Sequence, residues 1–435
     1  MTANRLLLLG STAVVLSATA GAASAQAIGD SIVTSQAGST SFVRDRNVSV
    51  RQRPRAEYEA VGLHAGGFMI YPRVIATVEH DDNIYASSVN EQDDTIWRVQ
   101  PELSATSTWS RHMLSAYVRT TFNRFSDHSS ENSDEWQAGA SGRLDILRSA
   151  NISGGADFGR FTEPRTSTTT QFASAVPIQF DQQQVYVLGT KEFNRLRLTG
   201  RVDYRNYDYH DGRTATGALV EQDDRDRDIT ILTGRADYAV SPDTAVFVQV
   251  SGNWRNYDLK RPQVLFSRDS DGVEVLAGAN FELSNVTRGE IGVGYLQQKY
   301  DDPAFDQIEG FGARGQLEWF PTQLTTVTFN ASRVIEDSGI PGSAGYINTS
   351  LGAQIDHELL RNVILTGLLS YGHDDYDRLD RQDKRLRAGV SATYLLNRGV
   401  GLTVGYSHSK QDSSGRDSGF DYRINRFGAT VTLQY

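Results

Sequence analysis

The stretch Phe427-Gly-Ala-Thr-Val-Thr-Leu-Gln-Tyr435 decides how the rest of the chain is interpreted. Its apolar residues occupy every second position, and small or polar residues fill the positions between them. A period of two predicts a β-strand with one apolar face, because successive side chains of a strand point to opposite sides. If the chain repeats this alternation, the fold is a large sheet with one apolar and one polar face.

The same alternation recurs along most of the chain. It predicts eighteen strands, at 69–80, 95–108, 112–126, 135–148, 151–161, 183–192, 195–209, 227–240, 244–258, 273–284, 287–300, 309–320, 324–336, 346–358, 362–373, 384–396, 400–410 and 421–435.

The connections between these strands alternate strictly in length. Short turns lie at 109–111, 148–150, 193–194, 241–243, 285–286, 321–323, 359–361 and 397–399. Long polar segments lie at 81–94, 127–134, 162–182, 210–226, 259–272, 301–308, 337–345, 374–383 and 411–420. This arrangement predicts an all-β fold, a transmembrane antiparallel up-and-down β-barrel of about 16 to 18 strands with short periplasmic turns and long extracellular loops.

The first residues predict export. Arg5 precedes an apolar run from Leu6 through Leu16, and Ala23-Ser-Ala25 forms a cleavage site, which together indicate a signal peptide at 1–25. No later stretch reaches the roughly 18 consecutive apolar residues that a transmembrane helix needs. We expect the general secretory pathway to deliver the protein to the outer membrane of a Gram-negative bacterium. Residues 26–67 would form a periplasmic segment, largely disordered or plug-like, and 68–435 the barrel.

Composition agrees with this prediction. The chain has no cysteine, so disulfides do not stabilise it, and its net charge of −10 argues against a nucleic-acid partner. A mean hydropathy of −0.43 is low for a membrane protein. A barrel accounts for it, because only every second strand residue faces lipid.

The run Arg53-Pro-Arg55, then Glu57-Tyr58, Tyr71-Pro72 and Asp81-Asp-Asn-Ile-Tyr85, resembles the opening of the putative β-barrel porin-2 family. The resemblance implies a single-chain outer-membrane barrel with passage or export of polysaccharide as a role, since relatives accompany exopolysaccharide export. It implies no catalytic residues and no cofactor. The expected partners are outer-membrane lipid and lipopolysaccharide, the barrel assembly machinery and polysaccharide export proteins. The closing residues Phe427, Val431, Leu433 and Tyr435 resemble the signal that this machinery reads.

The basic run from Arg51 to Arg55 has two readings. It is either a solvated tail or a segment that plugs the barrel or docks a partner.

Charged residues on the predicted inner face are the candidate lumen lining. A lipid-facing arginine at mid-bilayer costs about 2–4 kcal/mol, which places these side chains inside. They are Arg119, Arg143, Arg197, Arg201, Arg205, Arg235, Arg314, Arg385 and Arg387, with Asp203, Asp237 and Glu318. They either pair across neighbouring strands or form a positively biased path for anions. In the second case, replacing Arg197, Arg201 and Arg205 together would change ion selectivity. Inward Tyr117 and Phe247 would either stack on sugars or pack.

An enzyme is not expected. Three histidine–carboxylate clusters, His80-Asp-Asp82, His210-Asp211 and His373-Asp-Asp375, stand at predicted extracellular strand ends, but no nucleophile accompanies them at a defined spacing. The acidic loop 221–228 has no spacing typical of a calcium site, so solvated loop charge is the favoured interpretation.

The predicted function is an outer-membrane channel, with a conduit for secreted exopolysaccharide as the leading hypothesis. One alternative is a general or anion-biased diffusion porin, with segment 162–182 as its constriction. The other is a non-conducting structural or adhesin barrel that binds through loops 210–226 and 259–272.

Overall fold

The computed structural model describes residues 48–167, 174–259, 264–283 and 286–435. The predicted signal peptide and residues 26–47 lie outside this range. Eighteen long strands form the wall: β1 Phe68–Asp81, β2 Asp94–Ser107, β3 Met113–Phe125, β4 Ser133–Leu147, β5 Ala150–Thr162, β6 Gln179–Phe193, β7 Leu196–Tyr209, β8 Arg227–Ser241, β9 Thr244–Tyr257, β10 Ser270–Leu283, β11 Thr287–Tyr300, β12 Ile308–Thr322, β13 Thr325–Asp337, β14 Gly345–Leu360, β15 Val363–Tyr376, β16 Gln382–Leu395, β17 Val400–Ser414 and β18 Tyr422–Gln434.

The sheet closes on itself. Each strand pairs antiparallel with the next in the chain, and β18 pairs with β1 from Arg73 opposite Gln434 to Asp81 opposite Arg426. Closure leaves the wall without an open edge, so every wall strand has a hydrogen-bonded neighbour on both sides. The predicted fold class, a closed antiparallel barrel of eighteen strands, is confirmed.

Some strands of the structure are longer than the sequence predicts. β6 begins at Gln179, four residues before its predicted start, and β17 continues to Ser414, four residues beyond its predicted end. Both extensions lie at the end of the barrel that carries the long loops. There the strands leave the membrane and both faces become polar, so apolar alternation stops before the backbone ladder does.

Burial alternates along each strand as a lipid-facing wall requires. On β16, Val390 is 62% exposed and Tyr394 47% exposed on the outer face, whereas Arg385 and Arg387 lie on the inner face. The outer face therefore presents apolar and aromatic side chains to the membrane, and the inner face carries the charges.

The short turns gather at one end of the barrel and the long loops at the other. In the β6–β7 turn, Asn194 takes a φ of 47°, a left-handed conformation that asparagine tolerates better than most residues. Three short strands lie outside the predicted set: Leu63–Ala65, which pairs with β1, and a hairpin of Gly212–Arg213 with Leu219–Val220. Elements this short show no periodicity. No helix in the described residues is long and apolar enough to cross a membrane.

Candidate functional site

Residues 48–58, here called the mouth segment, lie against the inner wall at the short-turn end. Val50 is completely buried, and its backbone N–H donates to the hydroxyl of Thr326 at the start of β13 over 2.9 Å. The short turns mark the end that an outer-membrane barrel places in the periplasm. The segment therefore occupies the periplasmic mouth of the barrel.

Three alternating arginines attach the mouth segment to two acidic residues of β14. Arg51 lies 2.8 Å from Asp356, while Arg53 and Arg55 lie 3.0 and 2.9 Å from Glu358. The two carboxylates are two residues apart on one strand, so both point into the lumen. Their side chains are only 4% and 5% exposed, so these ion pairs are shielded from bulk water.

Further hydrogen bonds attach the mouth segment to other strands and turns around the opening. Arg288 of β11 donates to the side-chain oxygen of Gln52 over 3.1 Å, and Arg398 of the β16–β17 turn donates to the carbonyl of Ala56 over 2.9 Å. Gln434 of β18 donates to the carbonyl of Tyr58 over 3.3 Å. The segment thus touches the wall from β11 round to β18. The basic run lies on carboxylates of the wall, not in solvent.

The inner face of β8 and β9 is filled by its own side chains. The Arg235 guanidinium lies 2.7 Å from both Asp237 and Glu290, and 3.8 Å above the ring of Phe247. Glu290 belongs to β11, three strands away, so the pair ties distant parts of the wall together. Phe247 is only 4% exposed. Its ring packs under arginine and is not available to stack on a sugar.

Most of the predicted lumen arginines have carboxylate partners. The nearest distances are 2.9 Å for Arg119–Glu102, 2.8 Å for Arg143–Asp145, 2.6 Å for Arg201–Asp203, 3.0 Å for Arg314–Glu274 and 2.5 Å for Arg385–Asp374. Arg197 pairs with Glu192, and Glu318 pairs with Arg288. Arg205 is buried in the wall of β7. Pairing along and between the wall strands therefore accounts for most of these charges.

Arg387 differs from the others. Its guanidinium donates to the hydroxyl of Ser409 over 3.3 Å, and it forms no ion pair with a carboxylate in the part of the chain that the structure describes. Its neighbours Arg385 and Arg426 are committed to Asp374 and Asp81. Arg387 is thus the predicted lumen arginine whose charge the wall leaves uncompensated.

Small residues line the inner face on the side of the barrel away from β8 and β9. They are Gly139 and Ser141 on β4, Ser153 and Gly155 on β5, Gly389 and Ser391 on β16, and Thr403 and Gly405 on β17, all half-buried. We call this part of the inner wall the small-residue track. Space for solutes is greatest where side chains are shortest.

Two tyrosines lie flat on the small-residue track. A Cβ atom on Gly139 would stand 2.7 Å from the ring of Tyr117, and one on Gly155 would stand 2.7 Å from the ring of Tyr186. Only glycine allows this approach. The Tyr117 hydroxyl donates to Asp157 over 2.6 Å, which fixes the ring against the wall.

Two extracellular loops fold over the inner wall of β6–β8. Arg225 of loop 210–226 lies 2.7 Å from Glu163 of segment 162–182, and its guanidinium stands 3.9 Å above the inward ring of Tyr209. Burial lowers the pKa of Arg225 and the Glu163 carboxylate raises it, with a net upward direction. The described part of segment 162–182, the predicted constriction, is therefore held at the extracellular mouth.

Burial raises the pKa of the neighbouring Asp226 to about 6. The backbone N–H of Tyr209 donates to this carboxylate over 2.6 Å and lowers its pKa, whereas the nearby carboxylates of Asp208, Asp223 and Asp258 raise it. Asp226 therefore changes charge around pH 6, beside the buried Arg225.

Comparison with protein families matches residues 55–435 to the model described as putative β-barrel porin 2. The match covers the whole barrel and the end of the mouth segment. The chain belongs to this family. It is accordingly a porin-like outer-membrane barrel.

Several solved structures align with this porin-2 protein at low sequence identity. OccAB4 of Acinetobacter baumannii is 11% identical, with 88% of this chain and 100% of that chain covered and a TM-score of 0.46. OpdK of Pseudomonas aeruginosa, solved with vanillate, is 11% identical, with coverages of 84% and 99% and a TM-score of 0.44. The ferric enterobactin receptor PfeA of the same organism is 8% identical, with coverages of 84% and 80% and a TM-score of 0.43. A comparison with curated proteins gave no match.

The histidine–carboxylate clusters of the porin-2 barrel are divided between the two faces of the wall. His80 is exposed on the outer face, whereas Asp81 points inward to Arg426. His373 and Asp374 are separated in the same way. His210 lies 3.1 Å from Asp181, itself bound to Arg160. No group of three or more potential metal ligands occurs within the described ranges.

The closing residues of the porin-2 barrel point outward. Phe427, Val431, Leu433 and Tyr435 are 62%, 37%, 48% and 58% exposed on the outer face of β18 and just beyond it. They belong to the lipid-facing surface next to the pairing of β18 with β1. Recognition of these residues by the assembly machinery stays a prediction.

Proposed function

We propose that this protein is an outer-membrane conduit whose periplasmic mouth is closed at rest by its own mouth segment, and that the transported solute is a secreted exopolysaccharide. The observation that carries the proposal is the docking of Arg51, Arg53 and Arg55 on the paired carboxylates Asp356 and Glu358. An open diffusion pore has no use for such a segment across its mouth.

The mouth segment is suited to displacement. It is held mainly by side-chain ion pairs and single hydrogen bonds, and within residues 48–58 it forms no strand with the wall. An export protein that binds the chain ahead of residue 48 could withdraw the segment without breaking the barrel ladder. Polysaccharide export proteins are the partners that this arrangement favours.

The small-residue track supports the substrate class. Hydroxyl groups and glycines on β4, β5, β16 and β17 leave room for an extended chain and offer hydrogen bonds to it. Half-buried Tyr117 gives a flat surface of the kind sugars stack on, and Arg387 adds an uncompensated positive charge. These features favour an acidic polysaccharide.

Single-channel conductance in planar lipid bilayers tests the closure. The mature protein is compared with a variant that lacks residues 26–60. We expect the mature protein to be silent and the shortened protein to conduct. Equal, steady conductance of both would refute closure by the mouth segment. Silence of both would refute the channel and favour a structural or adhesin barrel.

An anion-biased diffusion porin is the second candidate, and Arg387 is the observation that favours it. The two candidates differ in the size of the solute that passes. Liposomes loaded with the shortened protein are exposed to a small organic anion and to acidic oligosaccharides of increasing length. Passage of long oligosaccharides supports the conduit, and passage restricted to the small anion supports the porin.

A further inference from the structure

Four basic side chains lie together on the outer face of the barrel, at the end that carries the long loops. They are His373 on β15, Lys384 on β16, Lys410 on β17 and Arg423 on β18, here called the basic patch. His373 stands directly opposite Lys384, and Lys410 directly opposite Arg423. Leu386, two residues from Lys384, stands opposite Lys410 and joins the two pairs.

The protein itself compensates only part of this charge. Lys410 and Arg423 carry like charges directly opposite each other on one face of the sheet, which is destabilising. Lys410 lies 2.6 Å from Asp412, which also stands opposite Lys384, but neither Lys384 nor Arg423 forms an ion pair within the described part of the chain. The nearby Asp375 and Asp421 accept hydrogen bonds from Gln382 over 3.3 Å and from the backbone of Ser413 over 2.7 Å. An anionic ligand would remove the repulsion.

The height of the basic patch identifies the ligand. Towards the membrane, the same outer face continues with Tyr371, Leu386, Tyr406 and Phe427, which are 39%, 40%, 45% and 62% exposed. Aromatic side chains of this kind mark the membrane–water interface. Lys384 lies two residues beyond Leu386, about 7 Å further along the strand at roughly 3.3 Å per residue. The cations therefore stand at the level of lipid headgroups.

The patch is specific to one sector of the barrel. At the same end of the wall, the outer face of β6–β9 carries acidic residues instead, Asp181, Asp208, Asp228 and the adjoining Asp258. Elsewhere on this rim the outer-face cations Arg124, Arg160 and Lys299 stand on separate strands, and Arg124 and Arg160 pair with Asp134 and Asp181. Adjacent cations on β16–β18 therefore indicate a binding site for an anionic lipid in this sector.

We propose that the basic patch binds the phosphate groups of lipopolysaccharide in the outer leaflet, with the acyl chains along the apolar outer face of β15–β18. Lys384 and Arg423 contact the phosphates, and Lys410 shares its charge between Asp412 and the lipid. The site is independent of the lumen, so it does not rest on the conduit proposed above.

Binding of fluorescent diphosphorylated lipid A to the folded, delipidated mature protein in detergent tests the proposal. The triple variant Lys384→Gln, Lys410→Gln, Arg423→Gln should bind at least tenfold more weakly. A matched triple variant on other outer-face positions, Arg124→Gln, Arg160→Gln, Lys299→Gln, makes the same charge change and should bind within twofold of the wild type. An unchanged affinity of the basic-patch variant, or equal losses in both, would overturn the proposal.

Two further binding measurements identify the source of the phosphate. Lipid A with its phosphates removed should bind the wild type as weakly as diphosphorylated lipid A binds the basic-patch variant. Inorganic phosphate at matched concentration should not compete, and full competition would overturn the lipid assignment. Heat-modifiable mobility reports folding of each variant. If the triple variant does not fold, Lys384→Gln with Arg423→Gln keeps the Lys410–Asp412 pair and should still lose affinity.

Discussion

Arg426 of β18 donates to the carboxylate of Asp81 on β1 over 2.7 Å, directly across the seam where the first and last wall strands meet. The Asp81 side chain is only 2% exposed, and it also accepts the backbone N–H of Asn83 over 2.9 Å. The seam is thus held by an ion pair in addition to its backbone ladder. Closure of the barrel depends on these two strands alone.

Replacing Asp81 by Asn should weaken the seam. The change leaves Arg426 without its main partner on the inner wall, a loss of about 1.5–3 kcal/mol for a hydrogen bond to a charged group. We expect the folded form to be lost at a lower temperature, as measured by heat-modifiable mobility in gels. Asp380→Asn is the control, because its partner Arg416 is 89% exposed and such pairs contribute little. Equal melting of the two variants would contradict the role of the seam pair.

Replacing Glu358 by Gln should release the mouth segment. Glu358 holds both Arg53 and Arg55, and loss of its charge leaves two arginines at a shielded site without compensation. In planar bilayers we expect open events that the wild type lacks. Glu274→Gln removes a matched inner-wall carboxylate that binds Arg314 on β12 and does not touch the mouth segment. If this control opens the channel as often, the effect is not due to the mouth segment.

Arg387 should contribute to ion selectivity once the channel is open. In the protein without residues 26–60, Arg387→Gln should shift the reversal potential in a salt gradient towards cation preference, because the lost charge has no carboxylate partner. The double variant Arg201→Gln, Asp203→Asn removes a pair held at 2.6 Å without changing net charge, and should leave the reversal potential as it is. Identical reversal potentials for all three proteins would remove Arg387 from the conduction path.

Asp226 should make the protein less stable as pH rises. The carboxyl group holds its proton more tightly in the folded state, with a pKa of about 6 against an ordinary value of 3.8, so its contribution to stability is complete below 3.8 and is lost as pH rises through 6. Asp226→Asn should therefore melt at a higher temperature than the wild type at pH 7.5 and at the same temperature near pH 4. Glu91→Gln, in another loop, should keep the wild-type profile. A wild-type profile in Asp226→Asn would contradict the raised pKa.

The barrel could be predicted because its determinants are local. Alternation assigns each residue to a face, and the strict succession of short and long connections defines an up-and-down wall, so Arg314 and Arg235 could be placed inside. Their partners could not be predicted. Arg314 reaches Glu274, 40 residues earlier, and Arg235 reaches Glu290, 55 residues later and three strands away. Such contacts depend on strand register and on the curvature of the wall, which alternation does not specify.

The docking of the mouth segment was harder to predict than these ion pairs. Arg51, Arg53 and Arg55 alternate as a strand would, but nothing local indicates that Asp356 and Glu358 face them. The sequence therefore favoured a solvated tail and left a plug or a docking segment as the alternative. The outcome depends on where two carboxylates stand after the wall has curved.

The separation of these contacts along the chain has a consequence for the order of assembly. The mouth segment meets residues 236 to 376 positions later in the chain, on strands and turns from β11 to β18. It is synthesised early, yet its binding surface exists only when the late strands are in place, and contacts so distant in sequence form slowly. We expect each new barrel to pass through a stage in which the wall is complete and the arginines are still outside it. Insertion of the segment is then the last folding step, and it seals a pore that already spans the membrane.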